Sequence, residues 1–301
     1  MAVQTRTIKR RIKSVKNTRK FTKAMELVAA SKMRKAVNSV LGTRPYAKLA
    51  WDTVLTISGM TDTSAHPLLH AQEKTDRILV VLLTSDRGLA GGFNANIIKK
   101  TIANIKSLEG SAQIESICIG KRGADAMRRA NIPVLAKFTG LTDNTKFEEV
   151  LPIGKMIIQE FTEGKYDKVI ISYTDFKSAI SQEPILLDLL PLGSPEETKP
   201  IGQLNEEKEV EIVQAREYTF EPSPEAVLDR ILPRLVETMI FQAVLESAAS
   251  EHSARMMAMR SASDAASDMI DALTFTFNQA RQAGITQEIA EISSGKAALE
   301  S

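Results

Sequence analysis

The chain has 301 residues, of which 43% are hydrophobic and 25% charged, a composition that excludes a disordered or fibrous protein and fits one or two folded domains. Its 39 Lys and Arg nearly balance its 37 Asp and Glu, so the formal net charge is +2. Cys118 is the single cysteine, which excludes a disulfide framework and indicates a reducing compartment.

Residues 1–58 predict a first long helix, in which Gly42 and Pro45 are the only glycine and proline. A heptad with a thin, partly polar core recurs every seven positions at Ile8, Val15, Thr22, Ala29 and Ala36, with Thr18, Met25 and Lys32 between them. Residues 1–35 hold twelve Lys and Arg and one acid, a charge of +11. This basic segment has no apolar run, so we expect no secretory signal.

Residues 59–76 predict a polar connector, and residues 77–192 alternate strands with helices. Residues 78–83 are all apolar, which is typical of a strand in a parallel sheet buried on both faces. Further strands are predicted at 114–119, 133–138 and 168–173, helices at 94–108, 121–131 and 146–163, and an edge strand or hairpin arm at 180–190. This alternation indicates a small doubly wound, Rossmann-like α/β domain.

A glycine-rich turn follows the first strand and contains Asp86, Arg87, Gly88, Gly91 and Gly92. It resembles a phosphate cradle but lacks the G-x-G-x-x-G spacing, so the glycines are expected to serve the turn. For Asp86 and Arg87 we favour a structural ion pair. His66 and His70 lack a third ligand, so a loop is favoured over a metal site. We therefore expect no cofactor and no metal.

The sequence predicts a Pro- and Glu-rich linker at 193–222 and a second long helix at 223–294. A tail is predicted at 295–301. Ser223, Pro224 and Glu225 supply an N-cap, a proline at the first helical position and an acid in the first turn. Apolar residues then recur at spacings of three and four, among them Met269 and Ile270. Roughly seventy helical residues span on the order of 100 Å, and charges along them exclude a membrane span.

The two long helices are predicted to pair as an antiparallel coiled coil, with the intervening chain closing one end. Packing is expected at Ile8, Val15, Ala29, Ala248, Arg255 and Met256, where small residues let the backbones approach. If one residue of the first helix faces one of the second, their two residue numbers should add up to about 280. This puts Met25 near Arg255 and ends the overlap of the two helices near residue 275. The apolar residues beyond it would need an enclosing protein; they are Phe275, Phe277, Ile285, Ile289 and Ile292.

Three regions of the chain resemble the γ subunit of rotary proton-translocating ATP synthases. The first is FTKAMELVAASKMRK at 21–35 and the second is TSDRGLAGG at 84–92. The third comprises ESAASEHSARM at 246–256 and NQARQAGITQEI at 278–289. The resemblance spans the whole chain in one order.

The resemblance implies that the terminal helices form a shaft inside a hexamer of catalytic and non-catalytic subunits. The α/β domain would be a foot that binds the ε subunit and the membrane ring, with one copy of the chain per complex. The subunit would couple proton flow to ATP synthesis or hydrolysis without catalysing a reaction itself. It would lie at the cytoplasmic side of a bacterial inner membrane as a peripheral protein.

The resemblance also assigns contacts with a catalytic subunit to Met25, Arg281, Gln282, Thr286 and Glu288. Three places depart from the family pattern, and one of them is 264–266, Asp-Ala-Ala, where an asparagine is frequent. Gln279 stands where a lysine or arginine is common, and Gly284 stands where alanine or serine is usual.

Two other functions are compatible with parts of the sequence. The basic N-terminal segment is also what a coiled-coil nucleic-acid-binding protein would carry, although only Phe21 is available there for stacking on bases. An acidic protein partner explains the same charge, and under the favoured interpretation no nucleic acid is expected. The α/β domain alone would also suit a nucleotide-dependent enzyme.

Overall fold

The computed structural model describes residues 2–58, 66–70, 75–108, 110, 112–142, 145–192, 201, 221 and 223–299. In chain order the elements are α1 (Ala2–Ser58), β1 (Arg77–Leu83), α2 (Phe93–Leu108), β2 (Gln113–Ile119), α3 (Lys121–Arg129), β3 (Val134–Phe138), α4 (Phe147–Thr162), β4 (Lys168–Phe176), β5 (Gln182–Leu190) and α5 (Pro224–Leu299). Most of the predicted connector and linker lies outside the described residues. The predicted tail begins inside α5, which ends at Leu299.

The five strands form one sheet in the order β3-β2-β1-β4-β5. Strands β1 to β4 pair in parallel, and β5 pairs antiparallel with β4 as an edge strand. Both alternatives given for residues 180–190 therefore apply, since β5 is an edge strand of the sheet and one arm of a hairpin with β4. The fold class predicted from the sequence, an α/β domain between two long paired helices, is confirmed.

Strand β1 has an apolar side chain at every position after Arg77 because both faces of the sheet are covered. Alternate residues of a strand point to opposite faces. Ile78, Val80 and Leu82 therefore pack with α2 and α3, in a core that also holds Cys118. Leu79, Val81 and Leu83 pack in the other core, with α4, the end of α1 and residues 228–244 of α5.

The chain divides into two compact units, one formed by residues 1–29 with 256–301 and the other by residues 30–255. In the first unit, buried and half-buried residues of α5 recur at spacings of three and four, a coiled-coil stripe; they include Met256, Met259, Ser263, Ala266, Ile270, Leu273 and Phe277. On α1 the predicted positions Ile8, Val15, Thr22 and Ala29 are likewise buried or half-buried. Two expectations were wrong, since Thr18 is exposed and Met269 is 53% exposed.

The numbers of residues that face each other across α1 and α5 add up to more than predicted. Arg19 Nη1 lies 3.4 Å from Ser267 Oγ, and these two residue numbers add up to 286. In the other unit Thr43 Oγ1 lies 2.5 Å from Gln242 Oε1, a total of 285. Met25 therefore faces the region of residue 261 rather than Arg255, and α1 overlaps α5 to about residue 284 rather than 275. Thin heptads specify a register weakly, which explains an error of five to six residues, about one and a half helical turns.

No helix in the described part of the chain combines the length and the apolar character needed to cross a bilayer.

The turn from β2 to α3 needs a glycine at position 120. Gly120 has φ of 100°, and a Cβ there would lie 2.1 Å from the carbonyl oxygen of Thr84. Both the backbone conformation and the space exclude a side chain.

Gly120→Ala is expected to lower the free energy of unfolding by about 3 kcal/mol, because the clash is with backbone and cannot be relieved by a rotamer change. Urea denaturation followed by circular dichroism measures it. Gly164→Ala is the matched control: φ is 69° and nothing lies within 4 Å of its Cβ, so about 1 kcal/mol is expected. Equal losses in the two variants would contradict the steric explanation.

Candidate functional site

Four of the residues assigned to a catalytic-subunit contact lie close together near the C-terminal end of α5. Arg281, Gln282, Thr286 and Glu288 are all exposed, and Thr286 Oγ1 donates to the carbonyl of Gln282 at 3.0 Å. Their functional groups are therefore presented to solvent from consecutive turns of one helix. An arginine in this setting can make forked hydrogen bonds to a carboxylate of another protein.

The same end of α5 exposes large apolar side chains. Phe275 is 72% exposed, Ile289 63% and Ile292 74%. Ile285 is 46% exposed, and Phe277 is half-buried on the coiled-coil stripe. The prediction that this segment leaves apolar surface uncovered is confirmed, and surface of this kind marks a site of protein contact.

Met25 lies half-buried on α1, beside exposed apolar side chains at Phe21, Leu27 and Val28. Lys23 Nζ makes an ion pair with Glu26 Oε2 at 3.0 Å, so the only acid of the basic segment partly neutralises its neighbour. This part of α1 therefore offers both apolar surface and positive charge to a partner.

Asp86 caps two backbone segments instead of pairing with Arg87, so the predicted ion pair is wrong. Its Oδ1 accepts the N–H of Lys121 at 2.8 Å and its Oδ2 that of Gly140 at 2.7 Å. No described salt bridge joins it to Arg87, which is exposed. A carboxylate at a helix N-terminus satisfies donors that the helix cannot, and this outweighs an exposed ion pair.

Two polar groups at the start of the glycine-rich turn from Thr84 to Gly92 are hydrogen-bonded within the protein. Asn94 Oδ1 accepts the N–H of Ser85 at 3.0 Å, and Thr84 Oγ1 accepts the N–H of Gly123 at 2.8 Å. A phosphate cradle needs such N–H groups pointing at the ligand. Gly91, with φ of 54°, serves the turn as expected.

Neither histidine of the segment 66–70 is arranged as a metal ligand. His66 Nε2 lies 3.2 Å from Asp229 Oδ1, and its Nδ1 accepts the N–H of Leu68 at 3.1 Å. Burial lowers the pKa of His66 while Asp229 opposes the shift. Among the described residues no group of three His, Cys, Asp or Glu could hold a metal ion.

The small polar residues of α5 contact the sheet domain more than they contact α1. Ser247 Oγ accepts the N–H of Thr174 at 3.1 Å, and Ser250 Oγ donates to the carbonyl of Thr174 at 3.2 Å. Ser253 Oγ donates to the carbonyl of Ala179 at 2.7 Å. Ala249 shares an apolar cluster with Val40 of α1, which agrees with the expectation that small residues here serve helix–helix approach.

Two further residues of α5 hold loops at the same edge of the sheet. Arg255 donates to the carbonyl of Gly88 at 3.4 Å and pairs with Glu251 at 2.8 Å. His252 Nε2 lies 3.3 Å from the carbonyl of Thr142. We call α5 residues 246–255 with their contacts to these loops the joint. The sequence motif 246–256 marks the joint, but periodicity alone could not reveal its partners.

Two solved structures of mitochondrial ATP synthases contain chains with this fold. The Tetrahymena thermophila mitochondrial ATP synthase central stalk/c-ring structure contains a chain that matches with TM-score 0.59 and 23% identity, over 81% of this chain and 99% of that one. A chain of the Euglena gracilis mitochondrial ATP synthase OSCP/F1/c-ring matches with TM-score 0.67 and 17% identity, over 99% and 95%. At these identities the likeness establishes the fold alone.

Relatives found by sequence establish the family as well as the fold. The ATP synthase gamma chain of Pelotomaculum thermopropionicum is 41% identical over 98% of this chain and 99% of its own length. That of Heliobacterium modesticaldum is 42% identical over 98% of both. A family model described as ATP synthase matches residues 4–299. The chain belongs to the ATP synthase gamma chain family, and the nucleic-acid alternative finds no support in these comparisons.

The exposed apolar end of α5 leads to a prediction for the isolated chain. Replacing Ile289 and Ile292 together by Gln should reduce self-association, because two exposed apolar side chains are lost while helix propensity changes little. The free energy of unfolding, measured by urea denaturation, should stay within about 0.5 kcal/mol of the wild-type value.

Sedimentation velocity measures the association. Ser293→Gln, at the exposed position directly after Ile292, is the control and should associate like the wild type. If the isoleucine variant associates as strongly as the wild type, Ile289 and Ile292 do not mediate self-association.

Proposed function

We propose that this chain is the rotor shaft of an ATP synthase, coupling proton flow through the membrane ring to ATP synthesis or hydrolysis at the catalytic subunits. The observation that carries the proposal is the end of α5. It exposes Phe275, Ile289 and Ile292 beside the charged and polar side chains of the catalytic-subunit contact. A segment that combines apolar surface with exposed charge is suited to enclosure by other proteins.

The proposal gives the two parts of the fold different partners. Residues 1–29 with 256–301 stand inside the hexamer of catalytic and non-catalytic subunits. The α/β domain is the foot, which binds the ε subunit and the membrane ring. One copy per complex, at the cytoplasmic side of a bacterial inner membrane, follows from the same assignment.

The chain performs no bond chemistry in this mechanism. It transmits free energy because an asymmetric shaft contacts the three catalytic subunits differently at each angle. Each contact favours one conformation of the catalytic subunit over another, and the size of the effect is the difference in contact free energy between conformations. Rotation then moves each catalytic site in turn through its states.

Two regions supply the contacts that differ with angle. Arg281 and Gln282, with Thr286 and Glu288 further along α5, form polar contacts with a catalytic subunit. Met25 faces another part of such a subunit, and the +11 charge of residues 1–35 favours an acidic lever there. These roles rest on the family resemblance and on the exposure of the side chains.

Co-purification tests the function. The affinity-tagged chain, expressed in its native cells, should recover a multi-subunit ATPase whose subunits are identified by mass spectrometry. Truncation after residue 274 removes the exposed end of α5 and should weaken recovery of the catalytic subunits. Recovery of nucleic acid without ATPase subunits would overturn the proposal.

Met25→Lys should reduce coupling more than assembly, because a new cation changes the contact free energy at some shaft angles without removing the coiled-coil core. ATP-driven proton pumping by membrane vesicles is measured against ATP hydrolysis in the same vesicles. Met25→Leu, which keeps an apolar side chain of similar size, should pump as the wild type does. Normal pumping by the lysine variant would reject the assigned role of Met25.

A further inference from the structure

Five charged side chains from three elements meet where β4 ends, next to the joint. Arg44 comes from α1 and Glu246 from α5, and the β4–β5 hairpin contributes Asp175, Lys177 and Glu183. Three are acids and two are bases. The positions of the bases decide which acid is left without a counter-charge.

Arg44 forms an ion pair with Glu246. Its Nη2 lies 3.2 Å from Glu246 Oε1, which also accepts the side-chain N–H of Gln242 at 3.0 Å. The other oxygen, Oε2, accepts the N–H of Phe176 at 3.3 Å. Donors on both oxygens stabilise the charged form of this fully buried carboxyl. Burial and the neighbouring Asp175 raise the pKa of Glu246, while the Arg44 guanidinium and the Gln242 side-chain N–H oppose the rise.

Lys177 is used by Glu183, with which it forms a close ion pair on the hairpin. Its ammonium group lowers the pKa of Glu183, so this acid is also charged. Both side chains are more than a third exposed. The second base is thus engaged with a different acid.

Asp175 remains without a base of its own. It is 4% exposed, and its Oδ1 has no hydrogen-bond partner among the described residues. In the antiparallel ladder it stands directly opposite Glu183, and like charges across a strand pair repel each other. Burying a charged carboxylate oxygen that has a negative neighbour and lacks a donor is costly.

We propose that Asp175 is a buried proton-binding site, whose carboxyl group carries a proton at neutral pH while Arg44 and Lys177 neutralise Glu246 and Glu183. The charges of the cluster then balance, because two bases face two carboxylates and one neutral acid. The direction of the pKa of Asp175 agrees: burial raises it, Glu183 adds to the rise, and Arg44 and Lys177 oppose it.

The proton makes this region of the foot sensitive to alkaline pH. The pKa of Asp175 is higher in the folded than in the unfolded chain, so its contribution to stability is full below the unfolded value. It is lost as pH rises through the folded pKa. Loss of the proton places a second buried negative charge next to Glu246 and weakens contacts that tie the hairpin to α1 and α5.

Infrared spectroscopy of the full chain at pH 7 tests the protonation directly. Labelling the Asp carboxyl groups with ¹³C should shift a protonated-carboxyl C=O band of the wild type, and Asp175→Asn should abolish that band. Asp188→Asn is the matched control. Asp188 lies on the same hairpin, is 59% exposed and pairs with Lys168, so its removal should change only carboxylate bands.

A wild-type spectrum at pH 7 without a protonated Asp band overturns the proposal, whether or not the variant folds. A band that persists in Asp175→Asn also overturns it, because another residue then holds the proton. A second measurement follows the urea midpoint from pH 5 to pH 9. The midpoint of the wild type and of Asp188→Asn should fall as pH rises, and that of Asp175→Asn should fall less. Equal slopes would contradict the predicted linkage.

Discussion

Burial of α5 is the interaction on which the rest of the structure depends. From Leu232 to Ser253 almost every side chain of this helix is buried, between the sheet domain and α1. Burial on all sides is unusual for a helix, which normally keeps one face in water. The sequence meets this demand by placing apolar residues in the first part and small polar residues at the joint. Ile270 is the last buried residue of α5 among the described side chains, and further along the same helix Phe275, Ile289 and Ile292 are exposed to solvent.

The buried part of α5, from Leu232 to Ser253, combines two kinds of contact that serve different purposes. Apolar packing of residues such as Leu235 and Ile240 supplies most of the stability, because it is proportional to buried area but has little directional preference. Directed hydrogen bonds from Ser247, Ser250 and Ser253 fix where the helix lies on the hairpin, because each hydroxyl meets one backbone group. Leaving such a buried partner unsatisfied is costly, so a shifted register is disfavoured.

Much of the fold could be predicted because it depends on local pattern. The run at 78–83 identified a sheet covered on both faces, and spacings of three and four identified α5. Contacts between distant residues could not be read in this way. Asp86 accepts the backbone N–H groups of Lys121 and Gly140, and no spacing in the sequence predicts these two contacts. Arg44, Asp175 and Glu246 escaped notice for the same reason, since charged residues are expected at the surface and these meet only after folding. Residues of the catalytic-subunit contact came from the resemblance, and their exposure is all that the isolated chain adds.

Cys118 lies in the apolar layer beneath α2 and α3, fully buried. Burial raises the pKa of its thiol to about 11, so almost none of it is thiolate near neutrality. Since the thiolate is the nucleophile, the native chain presents a surface inert to maleimides and similar reagents. A single cysteine introduced at an exposed position would therefore be the one place where a fluorophore or bead attaches, without first removing the native thiol.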